Sequence, residues 1–293
     1  MFPNIARKLE DLTGHEILGH DCNAFFVSAV RSVIKERRAH PRKEKPDFLQ
    51  LLLDCLDEED GSKEIDKEIT HEALSAGSKV RLEEDLIIAQ SLVFLAAGYE
   101  TSATTLHFCL YNLATNPHCQ DKAYAEVEHA IGHKTYIDYN DLSKMPYLEQ
   151  IMKETLRLCP PAPRMLRECN EDITIKNIRF EKGCAIVVPI YAVHYNSDYY
   201  PQPEKFDPER FSPEARASMD PLTFLPFGYG PRNCIGMRFA QLEIRMALAY
   251  LLHRFRFKTN ERTMKPPVTL LTTGITIPRT PIILTAERRH HHV

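Results

Sequence analysis

The first two thirds of the chain carry apolar side chains at helical spacing. Between Cys22 and about Arg38 the apolar positions recur every three or four residues, which predicts a helix. A second helix is expected to open at Pro46, because proline is favoured in the first turn of a helix. Residues 57–80 are mostly polar and predict a loop. The pattern therefore indicates a mainly helical N-terminal part.

The longest periodic segment runs from about Leu82 to Thr115. Asn116-Pro117 is expected to end it, since proline disfavours helical geometry in the residue before it. At 1.5 Å per residue such a helix would be roughly 50 Å long and would cross a whole domain. Two further helices are predicted at about 118–131 and 146–158.

After Leu158 the pattern changes from helical to extended and irregular. Three prolines within the next five residues exclude a continuing helix. Residues 198–232 are dense in proline and aromatic residues and predict an ordered but irregular segment. The short β-rich pieces before it are Ile173–Ile175, Ile178–Phe180 and Ala185–Val188, with Lys182-Gly183 as a turn.

The end of the chain predicts one more helix, from Ile235 to about Phe255, and then short strands. The fold class is therefore mainly α with a small β region. We expect a single domain over residues 1–293, with a helical part (1–158), a mixed β and irregular part (159–236) and a final helix with strands (237–285). The expected closing strands are Val268–Leu271, Gly274–Ile277 and Ile282–Leu284.

Composition and charge narrow the class of protein. A charged fraction of 26% and a net charge of −3 do not resemble a disordered segment or a nucleic-acid-binding protein. The eight cysteines form no C-x-x-C pair, which argues against a zinc site and favours reduced thiols in a cytosol-facing compartment. No run reaches the ~20 apolar residues that span a bilayer.

The glycine-rich segment Phe227–Gly236 contains Cys234 just before the final predicted helix. Glycine permits a tight turn and the approach of a large flat ligand, and a helix N-terminus favours a thiolate. Arg232 offers a fixed positive charge to an anionic group. The segment lacks the Gly-Lys-Ser/Thr ending of a P-loop and the strand–turn–helix context of a dinucleotide loop. A structural turn with an inert buried cysteine stays open.

The segment resembles the haem-ligand signature of the cytochrome P450 family, F-x-x-G-x-R-x-C-x-G, at every fixed position. The resemblance implies haem b as the cofactor and Cys234 as the axial ligand to its iron. Arg232, and by alignment Arg167, would contact the haem propionates. The cofactor-binding residues that the resemblance implies are Cys234, Arg232, Arg167, Phe227, Gly228 and Gly236.

A second motif lies at Glu154 and Arg157, which share a helix face at spacing i and i+3. One interpretation is a surface ion pair worth under ~1 kcal/mol. The pair also resembles the E-x-x-R motif of the same family, which is completed by an arginine in a P-E-R-F stretch, here Arg210. The resemblance implies a structural Glu154–Arg157–Arg210 network that holds the irregular segment beneath the haem.

A third motif, Ala97-Gly98-Tyr99-Glu100-Thr101 followed by Ser102, resembles the family pattern [AG]-G-x-[DE]-T-[TS] in the long helix. Taken alone, Thr101 reads as a helix threonine bonded to its own turn. The resemblance instead implies that Thr101 and Glu100 are catalytic and manage protons. It also implies that Ala97, Ala162 and Ile275 face an apolar substrate, although each could equally be ordinary core.

The resemblance is to the animal microsomal branch that oxidises steroids and drugs and also includes thromboxane synthase. It implies a haem-thiolate monooxygenase that inserts one oxygen atom of O2 into an apolar organic substrate. Because the sequence has no flavin or nicotinamide motif, electrons would come from outside the chain. The resemblance implies that NADPH-cytochrome P450 reductase delivers them from NADPH. Cytochrome b5 is a further candidate partner. The implied location is the cytosolic face of the endoplasmic reticulum membrane.

The chain departs from the family pattern at its front. A complete member has an N-terminal membrane helix and a W-x-x-x-R motif, whereas this chain contains no tryptophan. We therefore expect the C-terminal haem-binding part of a P450 domain, truncated at its N-terminus. Two alternatives stay open: a thiolate-haem isomerase of lipid peroxides, against which Thr101 and Glu100 argue, and an inactive fragment without haem.

Overall fold

The computed structural model describes residues 20–42, 44–60, 83–132, 134, 136–272 and 274–289. They belong to two compact units, one ending at Ala97 and the other beginning at Gly98. This boundary falls inside the long helix, Glu84–Thr115. The expectation of a single domain stays a prediction. Most of the predicted polar loop lies outside the described residues.

The first unit is built from the helices His20–Ala39 and Phe48–Asp60 and the first part of the long helix. The predicted helix at Pro46 begins two residues later, because the Asp47 carboxylate accepts a hydrogen bond of 3.0 Å from the Gln50 backbone and caps the first turn. A small apolar core, in which every side chain is at most 4% exposed, consists of Ile34, Leu53, Ile87 and Ile88.

Helices also form most of the second unit. Pro117–Ile131 and Pro146–Leu158 agree with the prediction, and the final helix, Met237–Arg254, begins two residues later than expected. Their inward faces share one apolar core with the long helix. Each large side chain buried in this core contributes about 1.5–3 kcal/mol relative to an exposed one. Fully buried members include Phe108, Leu113, Val127, Leu148, Met152 and Leu248.

The strands of the described chain form two-stranded antiparallel pairs, all in the second unit. The three predicted β-rich pieces after Leu158 are confirmed, while Met165–Glu168 and Phe255–Lys258 were missed. The predicted closing strand Ile282–Leu284 is wrong, because the last strand begins at Thr285. Met165–Glu168 follows a proline cluster and is only four residues long, so its pairing partner rather than its own pattern defines it. The pairs are Met165–Glu168 with Ala185–Val188, Ile173–Ile175 with Ile178–Phe180, Phe255–Lys258 with Thr285–Arg288, and Leu270–Leu271 with Ile277–Pro278.

The predicted irregular segment contains short helical turns, and it follows a short helix, Ile190–His194, that the sequence pattern did not predict. Each turn in the segment begins with proline, and the residue before the proline caps it by accepting a backbone hydrogen bond. An Asp-Pro or Ser-Pro step is the signal that could have located them. The turns are Pro208–Phe211, Pro213–Ala217 and Pro221–Thr223, capped by Asp207, Ser212 and Asp220.

The long helix is long and apolar enough to cross a membrane by length and composition, in contrast to the expectation that no segment would be. Core helices of soluble proteins pass the same test. Here the C-terminal part of the helix supplies Phe108, Cys109 and Leu113 to the core of the second unit, and each is completely buried. This part of the helix is therefore an internal element of the second unit.

Candidate functional site

The cysteine loop, Phe227–Gly236, connects the irregular segment to the final helix. Gly228 and Gly230 have φ of 72° and 81°, a left-handed backbone geometry that glycine adopts without strain. The Cys234 amide donates a hydrogen bond of 2.8 Å to the Phe227 carbonyl, which closes the loop on itself. Cys234 is exposed at the end of this turn. The loop therefore presents a free thiol just before the start of a helix.

A cavity of about 440 Å³ lies beside the cysteine loop, within the second unit. Its wall is mainly apolar. The segment Gly274–Ile275 forms part of this wall, and the next residue, Thr276, donates its backbone N–H to the Pro161 carbonyl at 2.8 Å. Of the predicted site residues, the cavity brings together Thr101, Ala162, Arg167, Phe227, Gly228, Arg232, Cys234 and Ile275.

Apart from the predicted ion-pair network, three predicted site residues do not line this cavity. Glu100 is exposed beside Thr101. Gly236 stands next to the thiol instead, since a methyl group in place of its hydrogen would lie 4.0 Å from Cys234 Sγ. Ala97 belongs to the first unit. The roles of these residues stay predictions.

Two arginines at the cavity have no carboxylate partner within the described part of the chain. Arg232 is exposed and makes no hydrogen bond or ion pair there, and Arg167 donates only to the adjacent Leu166 carbonyl, at 2.9 Å. A guanidinium group matches the geometry of a carboxylate and can bind it through two parallel hydrogen bonds. A haem presents an apolar ring, two carboxylates and an iron that accepts a thiolate. The apolar wall, the guanidinium groups of Arg232 and Arg167 and the Cys234 thiol therefore fit this cofactor.

The long helix contributes hydroxyl groups to the cavity. Thr101, Ser102 and Thr105 all line it, and the Thr105 hydroxyl donates to the Thr101 carbonyl at 2.8 Å. The Ser102 hydroxyl donates to Glu243 Oε2 on the final helix, also at 2.8 Å. Sequence reasoning missed the Ser102–Glu243 contact, because nothing in the spacing of these residues predicts that the two helices meet there.

Glu154 and Arg157 form a completely buried ion pair. Arg157 Nε and Nη2 donate to the two carboxylate oxygens at 2.7 and 2.8 Å, which is a bidentate arrangement. Arg210 Nε lies 3.5 Å from Glu154 Oε1, and the Asp207 amide donates to the same oxygen at 3.0 Å. Burial raises the pKa of the Glu154 carboxyl, and Arg157 opposes this effect. The structure thus brings together the three residues of the predicted network.

Further donors of the two arginines reach the backbone. Arg157 Nη1 donates to the His194 carbonyl at 3.0 Å, and Arg210 Nη2 donates to the carbonyls of Pro201 and Gln202 at 2.6 and 3.0 Å. A buried ion pair requires such additional hydrogen bonds to offset the loss of hydration. The contacts join the helix Pro146–Leu158 to the irregular segment, as a structural network would.

Comparison with known proteins agrees with the family resemblance of the three sequence motifs. The Cytochrome P450 family model matches residues 11–286 of the chain. Cytochrome P450 3A12 of Canis lupus familiaris is 41% identical over 266 residues, which cover 90% of this chain and 50% of that protein. Cytochrome P450 3A28 of Bos taurus is 39% identical over 260 residues, 89% of this chain and 48% of that protein.

A human relative extends the comparison: cytochrome P450 3A7 of Homo sapiens is 37% identical over 271 residues, 92% of this chain and 50% of that protein. The chain thus spans about half the length of the curated relatives it matches. The family model covers nearly all of the chain, and the mainly helical fold with small sheets agrees with it. The chain therefore belongs to the cytochrome P450 family.

Proposed function

We propose that the chain is the haem-thiolate part of a monooxygenase that acts on an apolar organic substrate. The observation that carries this proposal is the grouping of three kinds of group around one apolar cavity: the Cys234 thiol, the Thr101 hydroxyl, and two arginines without a described carboxylate partner, Arg232 and Arg167. A haem held by a cysteine thiolate supplies the activation of dioxygen.

Each group at the cavity has a role that its chemistry supports. Cys234 Sγ supplies the thiolate ligand, and Arg232 and Arg167 pair with the carboxylates of the cofactor. Thr101 can accept and donate a proton at its hydroxyl, while the neighbouring Glu100 is exposed and can exchange protons with water. The apolar wall binds an apolar substrate, with Ala162 and Ile275 facing it.

The reaction requires an external source of electrons. One oxygen atom of dioxygen enters a C–H bond of the substrate as a hydroxyl group, and the other leaves as water, with two electrons and two protons consumed. The electrons come from NADPH through NADPH-cytochrome P450 reductase, with cytochrome b5 as a second donor. The family resemblance supports a location on the cytosolic face of the endoplasmic reticulum membrane.

The first experiment records an absorption spectrum. The 293-residue chain is expressed with haem supply, reduced and exposed to carbon monoxide, in parallel with Cys234→Ala and Cys22→Ala. Cys22 is also exposed but lies on the helix His20–Ala39 and does not line the cavity. A strongly red-shifted Soret band is expected in the wild type and in Cys22→Ala, and is lost in Cys234→Ala.

Product analysis after turnover then distinguishes a monooxygenase from an isomerase. With reductase, NADPH and isotopically labelled dioxygen, an apolar substrate should acquire one labelled oxygen atom, and Thr101→Ala should reduce product formed per NADPH consumed. Rearrangement of a lipid peroxide without reductase would instead identify an isomerase. Folded protein that shows no red-shifted band, or a band that persists in Cys234→Ala, would refute the proposal.

A further inference from the structure

His194 is a fully buried histidine that forms hydrogen bonds through both ring nitrogens. Its Nδ1 lies 3.1 Å from the Arg157 carbonyl, and its Nε2 lies 2.9 Å from the Leu225 backbone nitrogen. A carbonyl can only accept and an amide N–H can only donate, so the ring must be neutral, with its proton on Nδ1. This arrangement assigns the tautomer without reference to any ligand.

The contact between His194 and Arg157 is reciprocal. His194 Nδ1 donates to the Arg157 carbonyl, while Arg157 Nη1 donates to the His194 carbonyl at 3.0 Å. Because Arg157 is itself held by Glu154 in a bidentate pair, the imidazole is fixed relative to the helix Pro146–Leu158. The position of the ring therefore depends on the buried ion pair.

The Nε2 side of the ring contacts Leu225, just before the cysteine loop. Leu225 is buried and comes two residues before Phe227, whose carbonyl accepts the Cys234 amide at 2.8 Å. The Leu225 carbonyl also accepts the Gly228 amide at 3.0 Å. One imidazole thus joins the ion-pair helix to the backbone that closes the turn around the thiol.

Aromatic side chains hold the imidazole in place. Phe224 stacks on it with ring centroids 5.6 Å apart, and Tyr200 meets it edge-on at 6.4 Å. Burial lowers the pKa of His194 to about 4, and the positive charge of Arg157 opposes protonation further. Charged or titratable groups at the ring include Arg157, which pairs with Glu154, and Tyr200.

We propose that His194 is a positioning residue for the cysteine loop: its neutral ring transmits the position of the Glu154–Arg157 pair to Leu225 and thereby sets where Cys234 Sγ stands. This inference rests on the proposed role of Cys234 as the haem ligand for its functional meaning. Its structural content can be tested without haem. Protonation at Nε2 would place a second donor against the Leu225 amide and would release this link.

Hydrogen exchange in the haem-free chain tests the link directly. His194→Phe keeps an aromatic ring beside Phe224 but loses both hydrogen bonds, whereas His194→Gln can donate one hydrogen bond and accept the other. We expect several-fold faster exchange over residues 224–236 in His194→Phe and near wild-type protection in His194→Gln. His129→Gln, an exposed histidine on the helix Pro117–Ile131, is the matched control and should change nothing.

Unchanged exchange of residues 226–236 in His194→Phe would overturn the inference. If His194→Phe unfolds the chain, the pH dependence decides instead: as the pH falls from 6.5 towards 4, residues 224–236 should lose protection in the wild type but not in His194→Gln. Equal pH profiles for the two proteins would also overturn it.

The haem-loaded chain supplies a spectroscopic readout. His194→Phe should reduce the fraction of protein that gives the red-shifted Soret band with carbon monoxide, and His194→Gln should restore it. An undiminished band in His194→Phe would contradict a positioning role. If the wild type gives no such band, the proposed haem ligation fails, and the hydrogen-exchange result stands separately.

Discussion

Ser102 donates a hydrogen bond of 2.8 Å from its hydroxyl to Glu243 Oε2. Ser102 is buried on the long helix and lines the cavity, whereas Glu243 is exposed on the final helix, which follows the cysteine loop. This bond is therefore a direct side-chain link between the helix that carries Thr101 and the helix behind Cys234.

Replacing Ser102 with alanine should lower the free energy of unfolding by about 1.5–3 kcal/mol, because hydrogen bonds to charged groups contribute about this much. Urea denaturation measures the loss. Ser218→Ala is the control, since the exposed Ser218 hydroxyl bonds only to the Ala215 carbonyl of its own turn. In a double-mutant cycle with Glu243→Ala the two effects should not add, and strict additivity would show that the pair does not couple.

Arg157→Lys should lower the free energy of unfolding by about 3–5 kcal/mol, because lysine cannot form the bidentate contact and leaves the buried Glu154 carboxylate poorly paired. The control is Arg179→Lys. Arg179 pairs with Asp172 at 3.0 Å on the surface, so its loss should cost under ~1 kcal/mol. Equal losses in the two variants would mean that burial of the Glu154–Arg157 pair has no energetic consequence.

Acid should destabilise the wild-type chain through His194. Its pKa falls from 6.5 to about 4 on folding, chiefly because of burial. Below pH 6.5 the unfolded state therefore binds a proton at this histidine, whereas the folded state does not. The free energy of unfolding declines from pH 6.5 to about 4, by up to about 3 kcal/mol. Above pH 6.5 this group contributes no pH dependence.

The measurement is the free energy of unfolding at several pH values for the wild type and His194→Gln. Glutamine does not titrate, so the free energy of unfolding of His194→Gln should decline less than that of the wild type over this pH range, by up to about 3 kcal/mol. Carboxylates that titrate near pH 4 affect both proteins and cancel in the difference. A difference that stays constant with pH would contradict the assignment of a buried neutral imidazole.

Cysteine alkylation should distinguish buried thiols from exposed thiols. Burial raises the pKa of Cys109 and Cys159 to about 12, so neither should react in the folded chain near ~pH 8. Cys22, Cys55 and Cys234 are exposed and should react. Peptide mapping after brief treatment with an alkylating reagent reports each site.

Haem should protect one exposed thiol selectively. If Cys234 is the ligand, reconstitution with haem slows its alkylation while Cys22 and Cys55 react as before. Equal reaction of all three thiols in the reconstituted protein would contradict ligation. Protection of all three would indicate a general change of structure instead.

The helices could be predicted closely because apolar periodicity is a local property. His20–Ala39, Pro117–Ile131 and Pro146–Leu158 were predicted within about two residues of their ends. The second helix begins at Phe48 and not at Pro46, because the Asp47 carboxylate caps its first turn. Strands were harder, since Met165–Glu168 is defined by its partner Ala185–Val188 and has little pattern of its own.

In the candidate site, too, local features could be predicted and tertiary contacts could not. Cys234, Arg232 and Thr101 could be identified because each belongs to a short motif with fixed spacing. His194 and Glu243 could not, because their partners lie far away in the sequence and tertiary packing alone brings them together. The sequence could therefore predict the reactive groups but not the contacts that hold them in place.

The wall segment Gly274–Ile275, fixed by the bond from Thr276 to Pro161, has a consequence for the order of synthesis. A ribosome releases this segment after the helices and the cysteine loop, so the cavity stays open on that side until residues 274–276 have emerged. A ligand that needs this wall can be retained only once residues 274–276 have been made. Until then the newly made Cys234 thiol faces its surroundings, and only reducing conditions keep it from oxidation.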